Sequence, residues 1–379
     1  EVPDFEYPLI IDCLLGSGSS GYGETLRSPL DEIVIWAKSK TSNIIACDIP
    51  TGLGGPSALT ANKTVTFHSI KKYLNSKDAG EVIISPLAWT REVEDCGIGD
   101  IMRYPKIRKN AKKGDRGRLL VIGGGPYHGA PILAGMAAAR MGVDLVHVAM
   151  PKSASSRAKW PSELIPEPMK DQETISDITN LVKRCMTGRG VQAMVIGPGM
   201  GDDPESLEAV KMLIQATPNV PKVIDADAIK ALQGWPKELV GVVTPHQKEL
   251  ENWIEDIESA PDLLAGFGER RVIVRTGPED IIIGSAGRGG IGRGGNPRMS
   301  MGGTGDLLAG CIGGLLGLGL SPWGAARLGV HLMRVAGKLA EKEIGPGMVA
   351  DDIPQFLSRA LITGPVLLHQ PMQEDPSSS

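Results

Sequence analysis

The chain has little of what marks several protein classes. Aromatic residues occupy only 4% of its 379 positions. A basic excess is missing too: the formal net charge is −4, which leaves no basic surface and excludes nucleic acid as an expected partner. The five cysteines (13, 47, 96, 185 and 311) form no C-x-x-C pair and lie near no histidine at ligand spacing. They are therefore expected as reduced core thiols of a cytoplasmic protein, not as zinc ligands or disulfides. No apolar run is long enough for a bilayer; the longest, Leu307 to Leu320, is short and broken by glycines. Residues 1–12 are too short and too acidic for a secretory leader, so a soluble protein without a membrane partner is expected. Internal repeats are missing as well. What the chain does have is length for two domains, 41% hydrophobic residues for a core, and 49 glycines for tight turns and close backbone approaches.

The glycines concentrate where the chemistry is most legible. Met301-Gly-Gly-Thr-Gly-Asp306 leads into an apolar run with small residues at Ala309, Gly310, Gly313, Gly314 and Gly317. The pattern predicts a glycine-rich turn feeding the start of a closely packed helix. Such a start presents unpaired N–H groups and a positive dipole end to a phosphate or a developing anion. Asp306 stands where it could take a proton from a substrate hydroxyl. The plainer alternative is a turn with Asp306 as an ordinary first-turn acid.

In the first hundred residues, Tyr7 to Asp12 and Asn43 to Asp48 read as strands that each end in a carboxylate, with a helix from Pro29 to Ser39 between them. The glycine/serine loop from Cys13 to Gly21 follows the first strand, and Asp48-Ile-Pro-Thr51-Gly follows the second. This is half of a doubly wound unit, with Asp12 and Asp48 on one rim; the alternative is that both only cap strand ends. The basic, proline-containing stretch 101–113 reads as a linker.

Beyond it, strands are expected at Arg118–Ile122, Leu145–Ala149, Ala193–Gly197, Val223–Asp225 and near Val242. Their following loops carry Gly123 to Ala130, Gly197-Pro-Gly199, Asp225-Ala-Asp227 and Thr244-Pro-His246…Glu249. Asp225 and Asp227, two apart on an extended chain, would share a face and could hold Mg2+, or Asp227 could be a helix N-cap. Arg271 to Ile283 reads as a hairpin or strand–loop–strand through Thr276, Gly277 and Asp280, and Gly284 to Gly295 as a mobile loop whose Arg288 and Arg293 lie near phosphate. A packing helix is expected from Pro322 to Glu341, and a disordered polar tail over 366–379.

These motifs together resemble the NAD(P)H-hydrate dehydratase branch of the ribokinase-like superfamily over residues 113–362. Asp12-Cys-Leu-Leu-Gly-Ser-Gly and Asp48-Ile-Pro-Thr-Gly-Leu resemble the second half of an NAD(P)H-hydrate epimerase domain over residues 1–100. The implied architecture is a ribokinase-like parallel-sheet α/β domain (114–365) preceded by a partial Rossmann-like α/β domain (1–100), without the family's upstream Asn-Asn-Gly-Gly-Asp loop.

The implied reaction is ADP- or ATP-dependent dehydration of NADHX or NADPHX with Mg2+, and ADP is the expected donor. The resemblance makes Asp306 the general base. It places Ala130, Gly199, His246 and Asp306 on the hydrate, and Thr276, Gly277, Asp280, Gly303, Thr304 and Gly305 on the nucleotide. In the epimerase-like part it places Gly16, Gly18, Gly21 and Asp48 on the hydrate, and Asp12 and Thr51 on K+. The family's Lys before Gly277 is replaced by Thr276, with Arg275 as a substitute, and Gln247-Lys248 stand where the family has Pro-Gly. A homo-oligomer, as large as a tetramer, is implied. A ribokinase-like small-molecule kinase and a non-catalytic nucleotide binder remain the alternatives.

Overall fold

The structure, a computed structural model, describes residues 6–16, 22–67, 70–71, 73–74, 77–87, 94–170, 173–176, 178–186, 190–254, 260–264, 268–284 and 288–362. Gly18, Gly21 and the expected tail 366–379 lie outside the described residues. The chain divides into two compact units between Thr90 and Arg91.

The first unit holds a four-stranded parallel sheet in the order β1 (Ile10–Asp12), β2 (Ile44–Cys47), β3 (Lys63–Phe67), β4 (Glu81–Ser85). Helix α1 (Leu30–Lys40) buries Val34 and Ala37, which cluster with Ile44 and Leu59. Alternation along the strands gives the sheet a second face, on which Ile11 is 62% and Ile83 40% exposed. Register pairs Asp12 with Ala46, and Cys13 and Cys47 are the next residues along the two segments. Of the expected core thiols, Cys96 and Cys311 are buried, whereas Cys13 is exposed and Cys47 half-buried.

The second unit is built on a nine-stranded sheet. Its parallel part comprises β5 (Arg118–Ile122), β6 (Leu145–Met150), β7 (Leu164–Pro168), β8 (Ala193–Ile196), β9 (Lys222–Ile224), β10 (Gly241–Val243) and β11 (Arg271–Arg275). Two antiparallel strands, β12 (Asp280–Gly284) and β13 (Gly289–Gly292), extend the β11 edge, giving the order β13-β12-β11-β10-β9-β8-β5-β6-β7. Of the expected mobile loop from Gly284 to Gly295, Gly284 and Gly289–Gly292 are strand among the described residues. Arg288 pairs with Glu269 (3.0 Å), and Arg293 with Asp95 (2.9 Å) and Glu279, so both guanidiniums are engaged by acids.

Near-continuous apolar strands such as Leu119-Leu-Val-Ile122 are buried on both faces, as a parallel sheet requires. One face packs on α2 (Gly129–Arg140), α3 (Lys152–Arg157), α8 (Thr304–Gly317), α9 (Pro322–Ile344) and α10 (Pro354–Ile362); the other cluster includes residues of α4 (Ile178–Met186), α5 (Pro204–Ala216), α6 (Gln247–Ile254) and α7 (Ala260–Leu263). The expected linker, 101–113, lies within this unit, which begins at Arg91. Ile101 is 1% exposed and Asp100 pairs with Arg327 of α9 at 2.9 Å, so the chain is anchored here before it becomes exposed over 106–113. Among the described residues, no helix is long and apolar enough to cross a membrane.

Helix α8 is apolar all round, and every residue from Leu307 to Gly317 is buried. Its glycines set how deeply it sits. A Cβ on Gly310 would lie 2.0 Å from the Ala134 carbonyl oxygen of α2, and one on Gly313 2.2 Å from Val195 of β8. The C-terminal Gly317 touches Gly117, just before β5 begins. The helix therefore runs antiparallel to the strands and presents its N-terminus at their carboxyl ends, where ligands bind in open α/β sheets.

Candidate active site

Gly303 begins α8 at φ 97°, a left-handed conformation that glycine adopts without strain. A Cβ there would also meet Leu133 (2.7 Å) and Ala350 (2.9 Å). The Leu307 N–H bonds the Gly303 carbonyl at 3.0 Å and closes the first turn. The N–H groups of Thr304 and Gly305 before it have no acceptor within the helix, and that of Asp306 turns to its own carboxylate. Around Gly302 and Gly305 there is open space on the side where a Cβ would project. The Thr304 hydroxyl is turned inward, donating to the Met299 (2.8 Å) and Met301 (3.0 Å) carbonyls, so Thr304 offers the site its backbone.

Asp306 sits in this first turn, half-buried. Burial pushes its carboxyl up to about 6, opposed only by its own backbone N–H. Asp225, just after β9, is buried and rises to about 7, first through burial and then through the charge of Asp306. Thr244, after β10, donates its hydroxyl to Asp225 at 2.7 Å. The expected Asp225–Asp227 pair on one face of an extended chain does not form. Ala226 lies at φ 50° and turns the chain, so the two carboxylates part company. Asp227 accepts from the Gly201 N–H (3.1 Å) and pairs with Lys230 (2.9 Å), bracing two loops. It is not the helix cap either: the short helical turn Ala226–Ala231 begins after Asp225.

The neighbouring loops close around the same rim. Gly199, at φ 63°, is pressed against the Tyr127 carbonyl, and a Cβ there would stand 3.0 Å from the Ala130 Cβ, which brings these two expected positions together. His246 and Glu249 form a reciprocal helix cap: the His246 N–H donates to Glu249 Oε2 (2.9 Å), and the Glu249 N–H to His246 Nδ1 (3.1 Å). The ring remains 57% exposed. Thr276 joins this loop through its N–H to the Pro245 carbonyl (2.9 Å), so His246 and Thr276 lie side by side.

Asp280, expected to meet the nucleotide, has other work. It is 5% exposed and pairs with Arg334 of α9 at 2.7 Å, and its Oδ1 accepts from the Gly277 N–H (3.2 Å). Arg334 also donates to the carbonyls of Gly277 (2.7 Å), Pro278 (2.7 Å) and Gly294 (3.1 Å). One buried guanidinium thus fixes the turn after β11 and the strand that leads to the glycine motif. Arg275 does not stand in for the family's Lys by position: it reaches sideways to Gln247 Oε1 (3.1 Å) on α6. Sequence reasoning missed Arg334; its signal was a cation within the apolar pattern of α9.

In the first unit, Asp12 and Thr51 meet. The Thr51 N–H and hydroxyl donate to the two Asp12 oxygens at 2.7 and 2.8 Å, and both residues are buried. A Cβ on Gly16 would lie 3.7 Å from Asp48 Oδ2, and Asp48 pairs with Lys71 at 3.0 Å.

Comparison with known proteins yields two family matches: NAD(P)H-hydrate dehydratase over residues 119–359 and the YjeF-related protein N-terminus over residues 2–73. The chain is 35% identical over 390 residues to the bifunctional NAD(P)H-hydrate repair enzyme Nnr of Hyperthermus butylicus, covering 95% of this chain and 71% of that one. The enzyme of the same name from Pyrobaculum aerophilum is 32% identical, at 93% and 74% coverage. Among solved structures, protein SMU.573 of Streptococcus mutans superposes with a TM-score of 0.59 at 26% identity, over 70% of this chain and 97% of that one. The ADP/ATP-dependent NAD(P)H-hydrate dehydratase of Bacillus subtilis, co-crystallised with ATP and Mg2+, shares the fold with a TM-score of 0.58 at 22% identity, over 73% and 98%.

Proposed function

This chain belongs to the NAD(P)H-hydrate dehydratase family, and we propose that its second unit returns NADH or NADPH hydrated at C6 of the nicotinamide ring to the normal cofactor, with ADP or ATP as phosphoryl donor. The observation that carries this reading is Asp306: a half-buried carboxyl raised to about 6, in the first turn of α8, beside N–H groups without helical acceptors. A base poised near neutrality and an anion cradle at one helix start suit phosphoryl transfer to a hydroxyl.

In this scheme Asp306 takes the C6 hydroxyl proton as the oxygen attacks the terminal phosphoryl group. The Gly303, Thr304 and Gly305 N–H groups receive the charge gathering on that group. The C6–O bond then breaks with phosphate as leaving group, a far better one than hydroxide, and loss of a proton from C5 restores the ring double bond. Ala130, Gly199 and His246 border the hydrate, while Thr276 and Gly277 border the nucleotide. Asp280 serves the nucleotide through the turn it braces, with Arg334.

Among the described residues, no group of three or more His, Cys, Asp or Glu could hold a metal ion by itself. Mg2+ fits this chain as a companion of the nucleotide phosphates, where it would screen their charge. In the first unit, Asp12 and Thr51 are the K+ position, and Gly16 and Asp48, with Gly18 and Gly21 beyond the described residues, are the hydrate position of an epimerase-type site. Two of these contacts, Asp12 to Thr51 and Gly16 to Asp48, support that assignment. A cytoplasmic homo-oligomer suits a repair enzyme of this family.

The test is recovery of absorbance at 340 nm from hydrated NADPH with Mg2+ and either ADP or ATP. Nucleotide-dependent recovery, lost in Asp306→Ala, identifies the dehydratase and its donor. A folded protein that gives none would return the assignment to a small-molecule kinase of the same fold.

A further inference from the structure

Cys13 and Cys47 stand apart from everything the dehydratase site uses. Residue 13 follows β1 and residue 47 ends β2, and the two strands are parallel neighbours with Asp12 opposite Ala46. One residue beyond that pair stand Cys13, just past the end of β1, and Cys47, the last residue of β2. Neighbouring strands lie about 4.8 Å apart, which falls in the roughly 4.4–6.8 Å range of Cα separations that a disulfide spans. Alternation decides which way the side chains face. Asp12 and Ala46 are buried on the α1 side, whereas Ile11 and Ile45 are not, and within β2 position 47 repeats 45. Cys47 therefore faces the open side of the sheet, half-buried, and Cys13, just past the end of β1, is exposed. The Cys47 thiol is pushed up by burial first and next by its Cys13 neighbour, as expected of two sulfurs that face one another.

We propose that Cys13 and Cys47 form a reversible dithiol–disulfide site at the carboxyl end of β1 and β2, taking a small-molecule disulfide such as oxidised glutathione as its oxidant. The exposed Cys13 sulfur, as thiolate, attacks the small disulfide, forming a mixed disulfide and releasing one thiolate. The Cys47 sulfur, on losing its proton, then attacks Cys13 Sγ and displaces the second thiol. In sum, the dithiol protein and one disulfide give the disulfide protein and two thiols. The bridge would join β1 to β2 beside Asp12 and Asp48, the two carboxylates at those strand ends.

The experiment uses the whole chain, incubated with oxidised glutathione at pH 8, quenched by alkylation and read by intact mass and peptide mapping. The expected result is loss of two hydrogens, loss of two alkylatable thiols, and one linked peptide pair containing Cys13 and Cys47, all reversed by a reducing thiol. Cys47→Ser should instead accumulate a glutathione adduct on Cys13, because the resolving sulfur is gone. Independent alkylation of both cysteines after oxidation, stable glutathione adducts on the wild-type chain, or a bridge to any other cysteine would overturn the proposal. Circular dichroism of both serine variants checks that the fold persists, and the dehydratase reaction with ADP or ATP serves as the activity that neither variant should change.

Discussion

Arg334 offers the sharpest test of how the fold serves the site. Replacing it with Met keeps the aliphatic stem and removes the guanidinium. Five interactions go at once: two with Asp280 Oδ2 (2.8 and 2.7 Å) and three with the carbonyls of Gly277, Pro278 and Gly294. Asp280, 5% exposed, is left without its cation. Burial already raises its carboxyl in spite of Arg334, so it would take up a proton rather than stay charged. Breaking a buried pair from one side costs about 3–5 kcal/mol. For a unit of this size that is a fall in Tm of roughly 10 °C, at about 2–4 °C per kcal/mol.

The control lies two turns earlier on the same helix. Arg327→Met breaks a second buried pair, with Asp100 (2.9 Å), and should cost somewhat less, because Asp100 keeps Arg103 at 3.0 Å. The two variants should part in their kinetics. Arg334→Met should raise KM for the nucleotide about tenfold or more, while Arg327→Met leaves it within about twofold, since a loosened loop worth 1.4 kcal/mol is a factor of ten. Urea titration gives the first quantity and initial rates at varied ADP or ATP the second. Equal nucleotide KM values in both variants would refute the role given to Arg334. So would an Arg334→Met chain as stable as the wild type.

Other perturbations separate site from scaffold. Gly305→Ala places its methyl in open space at a helix start, so stability should hold or rise by up to about 1 kcal/mol while nucleotide binding weakens; equilibrium unfolding and KM report the two. Gly199→Ala does the opposite: at φ 63°, with its Cβ 2.1 Å from the Tyr127 carbonyl, it should cost more than about 1 kcal/mol and disturb the hydrate loop as well.

As base, Asp306 must be ionised, so kcat/KM should climb as pH rises through about 6. Asp225 holds its proton to about 7, so Asp225→Asn should leave that limb in place; a limb moved by a full unit would contradict the order of ionisation. The stability sign is the reverse. Both carboxyls have folded pKa values above the unfolded value near 3.9, so the native state binds more protons between pH 4 and 7, and their contribution to stability falls as pH rises through that window. Asp306→Asn should flatten this slope in denaturant titrations.

Much of the architecture was legible because it is written locally. Strands such as Leu119-Leu-Val-Ile122 must be buried on both faces, whichever chain they occur in, and Met301-Gly-Gly-Thr-Gly-Asp306 can only be a turn into a helix whose start is bare of partners. Short-range stereochemistry also located Asp12, Asp48, Gly199 and His246 at strand ends. What the sequence could not supply was the company each polar group keeps, since that depends on residues far away along the chain.

Asp280 and Arg334 are 54 residues apart, and only the packing of α9 on β12 makes the acid a brace within the fold. Arg275 reaches 28 residues back, to Gln247. Asp225 and Asp227 looked like one pair until the left-handed turn at Ala226 sent them to different partners. The raised carboxyls follow the same rule: an Asp is an ordinary acid until burial and a second charge act on it, and both are properties of the assembled core. The sequence by itself determined which groups come to the rim, through local geometry and hydrophobic period. Tertiary structure alone decided which of them remain open to a ligand and which are used to hold the others in place, because that choice rests on desolvation and long-range pairing.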